Sequence, residues 1–417
     1  MKNHPHFWPT ARPLRGSAAA LRRQHGAFLI TFALFMLFLL GFMGIALDFG
    51  RLFVVKTELQ TAVDSCALAA ARELNGQADA ITRAQSAGMA AGNANNANLQ
   101  STSWNGAGKI TASDIDIFRD KEYLRTTDAQ KAHYAECKYT MSSIKLWLLQ
   151  AMGAFTGDST TWPNTGAVGV RAVATRVSSQ SACIIPVAIR WDIGLPSVGE
   201  WIPFDPGSKS KDKNMTWGNL NGSTNASTTE ADMLNGYCVT PKPGAIFTPG
   251  TQANKIAAVW NYRFGIYSNS DIKNGSVNYS STGQPDYSSY TYTTSNSPGH
   301  DVYQDFLNKR LAFMPCGRAT HPEDCGVGNG GYQTVSQAPV LKANGADRRV
   351  VTVPVIKGNA NQFNNELACM LILAPLQPSS MTSAFEYLGL ANDPKSPCKG
   401  SGYAGGTTGP VVPVLVR

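Results

Sequence analysis

Metal-ligand spacing is missing from this sequence. Its eight cysteines include no Cys-x-x-Cys pair, and its six histidines include no His-Glu-x-x-His. Zinc sites use such close pairs, so no zinc site is expected. Nucleophile and phosphate-loop signatures are absent too: there is no Gly-x-Ser-x-Gly and no Gly-Lys-Ser/Thr. Charge is scarce, at 15% of residues against the usual quarter. Acidic residues are missing from positions 1–26, which hold Lys2, Arg12, Arg15, Arg22 and Arg23. Most of the net charge of +8 therefore belongs to the tail, and the rest of the chain is close to balanced. A basic tail of this kind sets topology; it is not a nucleic-acid-binding surface.

Charge is lacking altogether from residues 27–47, "AFLITFALFMLFLLGFMGIAL". As a helix this run covers roughly 30 Å, the thickness of one hydrocarbon core. The rival reading is a cleaved signal with Gly44-Ile45-Ala46 as the cut site. The run exceeds the roughly 7–15 residues of a signal core, so a retained anchor in the lipid bilayer is expected. Arg22 and Arg23 precede the span and predict a cytoplasmic N-terminus with everything after it exported. That makes a single-pass protein of the bacterial inner membrane, with a periplasmic or extracytoplasmic body.

Proline is absent from residues 27–75, so nothing interrupts the helix where the apolar run ends. Beyond Asp48, apolar residues recur at Leu52, Val55, Leu59, Val63, Cys66, Ala70 and Leu74, one helical stripe. Asn75-Gly76 supplies the stop. The predicted helix is about 70 Å long.

The string "RRQHGAFLITFALFMLFLLGFMGIALDFGRLFVVKTELQTAVDSCALAAARELNG" (22–76) resembles the N-terminal module of the Tad/Flp pilus-assembly proteins of the TadG and TadE/G-like families. The resemblance is carried by Arg22, Arg23 and Gly26, by the exit Asp48-x-Gly50-Arg51, by Leu59-Gln60, Ala62 and Asp64, and by the Ala-rich end. Only loose echoes continue beyond it, in "VRAVATRV", "ACIIPVAI" and "RRVVTVPVI". Processed pilins carry Glu five residues after the cut Gly; Thr31 stands at that offset, which implies a permanent anchor. The resemblance implies pilus-assembly or pilin-like subunits as partners. Larger relatives resemble von Willebrand A domains with an Asp-x-Ser-x-Ser metal loop. The nearest string here, Asp286-Tyr287-Ser288-Ser289-Tyr290, ends in the wrong residue, so no metal is expected.

The expected fold class is α+β: the long N-terminal helix, then a mixed, mainly β, disulfide-bonded extracytoplasmic domain. Its parts are a disordered basic tail (1–26), the span (27–47), the emergent helix (48–76), a first α+β portion (77–203), an insertion rich in Gly, Asn, Ser, Thr and Tyr (204–300), and a second α+β portion (301–417). β-like runs fall at 109–118, 166–177, 182–190, 348–356, 367–374 and 411–416, with Pro186 and Pro354 pushing two of them toward sheet edges or ends. Residues 142–155 read as a helix, and 77–100 as a weaker one. Asn-Gly pairs at 221–222, 235–236 and 274–275 suggest hairpins within the insertion. Eight cysteines in an exported body read as disulfides with 105 pairings allowed. The favoured set is Cys316–Cys325, then Cys369–Cys398, Cys66–Cys137 and Cys183–Cys238.

Candidate chemistry is thin. Ser142-x-x-Lys145 matches a penicillin-binding nucleophile motif but has no Lys-Thr-Gly partner. His300, Asp301 and Asp305 form an acid–base trio or a helix cap, and His321, Glu323, Asp324 and Cys325 read better as a disulfide-closed turn than as a metal site. Neither enzyme activity, cofactor nor nucleic acid is expected. The leading function is a membrane-anchored component of Flp/Tad-type pilus assembly or tight-adherence secretion, acting by packing. The alternative is a membrane-tethered adhesin using Tyr279, Tyr287, Tyr290 and Tyr292 as a contact surface; an anchored hydrolase comes third.

Overall fold

The computed structural model describes residues 25–416, apart from 159, 162–163, 191, 193, 206–214, 224, 240–241, 243, 248–252, 275, 318–324, 328–330, 358–360, 377–382 and 401–402. The chain divides into two compact units: Met1–Thr57 with Thr140–Val168, and Glu58–Tyr139 with Gly169–Arg417. Helix α1 (His25–Glu73) contributes to both, and α2 (Ala80–Asn93) follows it. Strands β1 (Ile115–Phe118), β2 (Tyr134–Lys145) and β3 (Thr165–Ser178) form a four-stranded sheet with the last strand, in the order β1-β2-β3-β16; α3 (Trp147–Thr156) lies between β2 and β3 in the chain. Next come β4 (Ala182–Ile184), β5 (Val187–Arg190), β6 (Trp201–Phe204), β7 (Met215–Trp217), α4 (Ala226–Asn235), β8 (Tyr237–Val239) and α5 (Ala253–Tyr262). After them run β9 (Ile266–Ser268), β10 (Ile272–Lys273), β11 (Ser276–Val277), α6 (Tyr279–Thr282), α7 (Tyr303–Leu311), β12 (Tyr332–Thr334) and α8 (Ala338–Asn344). The chain closes with β13 (Val350–Lys357), β14 (Gln362–Ile372), β15 (Ser383–Leu390) and β16 (Val411–Leu415). This is a mixed α+β fold behind one long N-terminal helix.

The main sheet has eight strands. Its path is β6-β15-β14-β13-β4-β8, with β5 also pairing with β13 and β7 pairing with β5. Only the pairs of β13 with β4 and β5 are parallel. Both faces are covered, and the sequence of β14 shows why. Ala368, Met370 and Ile372 point into one core, with Phe204, Trp260 and Phe385; Leu367, Cys369 and Leu371 point into the other, with Phe306. A strand buried on both faces has no polar alternation, and "LACMLI" has none. On the first face the Trp260 ring lies 5.3 Å from Phe204 and 5.4 Å from Phe385, and the aromatic packing locks α5 to the sheet.

Several expectations are corrected. The stretch 142–155 is not one helix: the strand runs on through Lys145 and the helix starts at Trp147. Pro354 lies in β13, a central strand, where a register shift between Pro354 and Ile356 accommodates it. Pro186, by contrast, stands at a strand end as expected, between β4 and β5. Of the three Asn-Gly pairs, Gly275 lies outside the described residues, though Lys273 and Ser276 on either side of 274–275 pair as antiparallel strands, and Asn235-Gly236 ends α4. The polar stretch 204–300 carries core residues: Phe204, Trp217, Met233, Phe247, Trp260, Phe264 and Tyr267 are all under 5% exposed. Of the four tyrosines read as a contact surface, Tyr279, Tyr287 and Tyr290 are half-buried and one is buried. Tyr292 is buried and donates to Asp305 at 2.9 Å, and Tyr290 lies under Lys309.

Four disulfides fasten the second unit. Cys66–Cys137 ties α1 to β2, Cys183–Cys238 joins β4 and β8, Cys316–Cys325 closes a short loop, and Cys369–Cys398 holds β14 to the chain beyond β15. Small residues bring α2 against α1. The buried positions of α2 are Ala80, Ala84, Gly88 and Gly92, four apart on one face. A Cβ on Gly92 would lie 2.7 Å from Ile110 Cδ1 and 3.2 Å from the Ala62 carbonyl oxygen. Gly92→Val should therefore lower stability by about 1–3 kcal/mol. Thermal unfolding of the detergent-solubilised protein reads this. Gly50→Ala, where nothing lies within 4 Å of the added atom, should leave the midpoint unchanged or raise it.

Candidate functional site: the N-terminal helix and its exit motif

Within the first unit, α1 presents a bare apolar surface. Phe28, Leu29, Phe32, Leu34, Phe38, Phe42 and Leu47 are each at least half exposed. Each large apolar side chain left in water forfeits about 1.5–3 kcal/mol relative to burial. An uncharged run of this length in that state suits hydrocarbon. The one hydroxyl in the run, on Thr31, donates to the Phe28 carbonyl at 3.0 Å, so no polar group is left bare to an apolar surrounding.

The exit motif has a defined job. Asp48 is 4% exposed, and its Oδ2 accepts from the Leu148 amide at 3.0 Å and the Leu149 amide at 2.7 Å. These are first-turn amides of α3, which have no acceptor inside their own helix. The N-cap residue of α3 is Leu146, whose side chain cannot accept, so a carboxylate from α1 serves instead. Its negative charge also sits at the positive end of the α3 dipole. Arg51 completes the clasp: Nη1 donates to the Lys145 carbonyl at 3.1 Å and the guanidinium lies 4.5 Å from the centre of the Trp147 ring. Gly44 makes the approach possible, since a Cβ there would meet Leu148 Cβ at 3.1 Å; Gly41 faces Met152. Both glycines thus face α3 of their own chain. Trp147 remains 61% exposed beside the exit, the level at which interfacial Trp residues anchor proteins.

In the second unit, Leu59, Val63, Cys66, Ala70 and Leu74 of the stripe are buried; in the first unit Val55 is buried and Leu52 half-buried. Leu52 lies against Gly166 at the start of β3. The polar faces past Thr57 are occupied too. Glu58 accepts from the amides of Leu99 and Gln100, at 2.8 and 3.1 Å, and so holds a turn whose residues Asn98, Leu99 and Gln100 all have φ near +60°. Gln60 donates to Asp64 and to the Arg171 carbonyl. Leu59, Gln60 and Asp64, which carry the family resemblance, are thus spent within the second unit itself.

Other candidates fare differently. Arg22 and Arg23 lie outside the described residues, as do His321, Glu323 and Asp324. Cys325 is in a disulfide, and among the described residues no group of three His, Cys, Asp or Glu could hold a metal. Ser142 and Lys145 are exposed on β2. His300 and Asp301 pair at 3.1 Å on the surface, while Asp305 accepts from Tyr292. None of the three caps α7. Glu386 of β15 does, accepting from the amides of Val302 and Tyr303 at 2.8 and 3.1 Å, and burial pushes its carboxyl pKa up. Sequence reasoning missed it because the partners lie over 80 residues apart. The Asp286 carboxylate accepts from the amides of Ser288, Arg348 and Arg349 and pairs with Arg310.

One long apolar helix on a disulfide-bonded α+β body fits a membrane-anchored protein. A family model described as Putative Flp pilus-assembly TadE/G-like matches residues 26–73, a span that coincides with α1. No curated protein and no solved structure matches the chain. The N-terminal module is therefore of the TadE/G-like kind, and it supports a pilus-assembly-related role.

Asp48→Ala should cost about 1 kcal/mol at the α3 N-terminus. Hydrogen exchange at residues 146–152 should speed up roughly fivefold, in line with that cost. Asp48→Asn, which keeps an acceptor, should lose less.

Proposed function

We propose that this protein is a single-pass inner-membrane component of a Flp/Tad-type pilus-assembly or tight-adherence system that works by packing and scaffolding, not by catalysis. The observation that carries the reading is the coincidence of the TadE/G-like match with a helix whose faces change role along its length. Residues 28–54 leave most of their apolar side chains outward, while Leu59–Leu74 are spent on the protein's own body. The outward part is what remains for lipid and for the helices of other assembly subunits. Arg22 and Arg23 favour a cytoplasmic N-terminus. Eight cysteines, all in disulfides, favour an oxidising, extracytoplasmic location for the body. Thr31 at the place of the pilin Glu favours a helix that stays joined to its tail.

The test is to replace residues 28–40 with an unrelated apolar helix of equal length, keeping Gly41, Gly44, Asp48 and Arg51. The variant should remain in the membrane fraction with its disulfides intact, and pilus number should fall at least about tenfold, the equivalent of 1.4 kcal/mol of lost helix association. Full piliation would show that these residues serve as a passive tether. Protease added to spheroplasts should digest the body and spare an N-terminal tag; the reverse pattern would invert the topology.

A further inference from the structure

Arginine is rarely buried without a counter-charge. The second unit gathers several around one cavity, with Arg263 buried and Arg310 and Arg348 half-buried. The cavity measures about 470 Å³ and is lined by Arg263, Arg310, Arg348, Asp347 and Lys399, with Tyr303 among its apolar walls. Arg263 is 4% exposed; its Nη atoms donate to the carbonyls of Arg348 and Met233, and its buried Nε has no hydrogen-bond partner. Arg348 donates through Nη2 to the Leu234 carbonyl at 2.6 Å, and its buried Nε also lacks a partner. Arg349, fully buried behind them, spends its guanidinium on the carbonyls of Ile372, Ser288, Tyr290 and Leu373. The negative charge present offsets them only in part: Asp286 acts on Arg263, Arg348 and Arg349 through space, without an ion pair to any of them. Asp347 pairs with Arg310 and Lys399, and Asp286 pairs with Arg310. Among the described residues no ion pair reaches Arg263, Arg348 or Arg349. Burial pushes all three guanidinium pKa values down. The region thus holds five cations against two carboxylates.

We propose that this cavity is a binding site for an oxyanion, a carboxylate or phosphate group of a ligand. Guanidinium groups held in place by backbone carbonyls are already oriented, so an incoming oxyanion gains charge-assisted hydrogen bonds at little entropic cost. A second cavity, of about 830 Å³, shares Tyr303, Leu307, Arg310 and Pro397 with the first and adds Leu311, which is 81% exposed. It gives room for a partly apolar chain attached to the anionic group. The inference rests on these charges and is independent of the assembly reading above.

Isothermal titration of the full chain in detergent tests it at low ionic strength. The probes are inorganic phosphate, an acetylated apolar tripeptide with a free carboxyl terminus, and the same tripeptide as its amide. Phosphate, the free-acid peptide or both should bind, and the amide should not. Preference for the peptide acid identifies a polypeptide C-terminus as the source, and preference for phosphate identifies a phosphorylated ligand. Two variants at the cavity rim keep the fold at little risk. Lys399→Gln removes a two-thirds-exposed cation and should weaken binding about tenfold. Asp347→Asn frees Arg310 and Lys399 from their carboxylate and should tighten it. Binding should also weaken as salt is raised. No heat with either anion, equal binding of the amide, or affinity unmoved by both variants overturns the proposal.

Discussion

The constraint on which the rest depends is the change of environment along α1. Up to Leu47 the helix is apolar on every side; from Leu59 to Leu74 it is apolar on one side only, and that side is buried. A helix of the first kind is stable in hydrocarbon without a partner, because its backbone is satisfied internally. A helix of the second kind is stable only against something that covers its stripe. The chain supplies that cover itself through α2, whose Ala80, Ala84, Gly88 and Gly92 present almost no side chain, and through the Cys66–Cys137 bond. The narrowness of the stripe and the smallness of the α2 face are two sides of one fit. Asp48 and Arg51 do the corresponding work within the first unit, where they hold α3 by its first-turn amides and by the Lys145 carbonyl.

In the second unit the same economy recurs with charge. The main sheet is covered on both faces, so polar groups reaching its rim have to be satisfied by long-range partners. Glu386 caps α7 from β15. Arg349 stands between the rings of Phe264 and Phe306, at 4.5 and 4.8 Å, and collects four carbonyls from two separate segments. Asp286 collects the amides of Arg348 and Arg349. Such groups work as staples. They cost desolvation, and they are tolerated because each is nearly saturated with hydrogen bonds. Arg263 and Arg348 are the exceptions, each with an unused Nε, and this is why they stand out as a site and not as staples.

What the sequence made legible follows from the range of the signal. The long helix, its stop near Asn75 and the mixed, disulfide-bonded character of the body are written in composition and local period. Strands such as β3, β13 and β16 were readable as β-branched runs. β2 was not, because "YAECKYTMSSIK" mixes charge and small polar residues, and its end merges with the apolar α3. β15 was hidden by Gly389 and by the polar Glu386, whose role lies in another element. The stretch 204–300 misled for a related reason: its core residues are single aromatics separated by polar turns, a pattern with no period. The Asp48 clasp was visible as a motif but not as a contact, since its partners are a hundred residues away.

Oxidation and topology are linked through one bond. Cys66 lies on α1 only eighteen residues past Asp48, and its partner Cys137 is 71 residues further on. Closing a loop of that length removes about 4 kcal/mol of freedom from the unfolded chain in the entropic model. Under the proposed topology that gain is available only where the outer half of α1 has emerged into an oxidising compartment. The body would then reach full stability after export and remain weaker before it. On that topology the helix that carries the anchor would also carry the cysteine that reports its arrival, and insertion and folding would be coupled within a single element of structure.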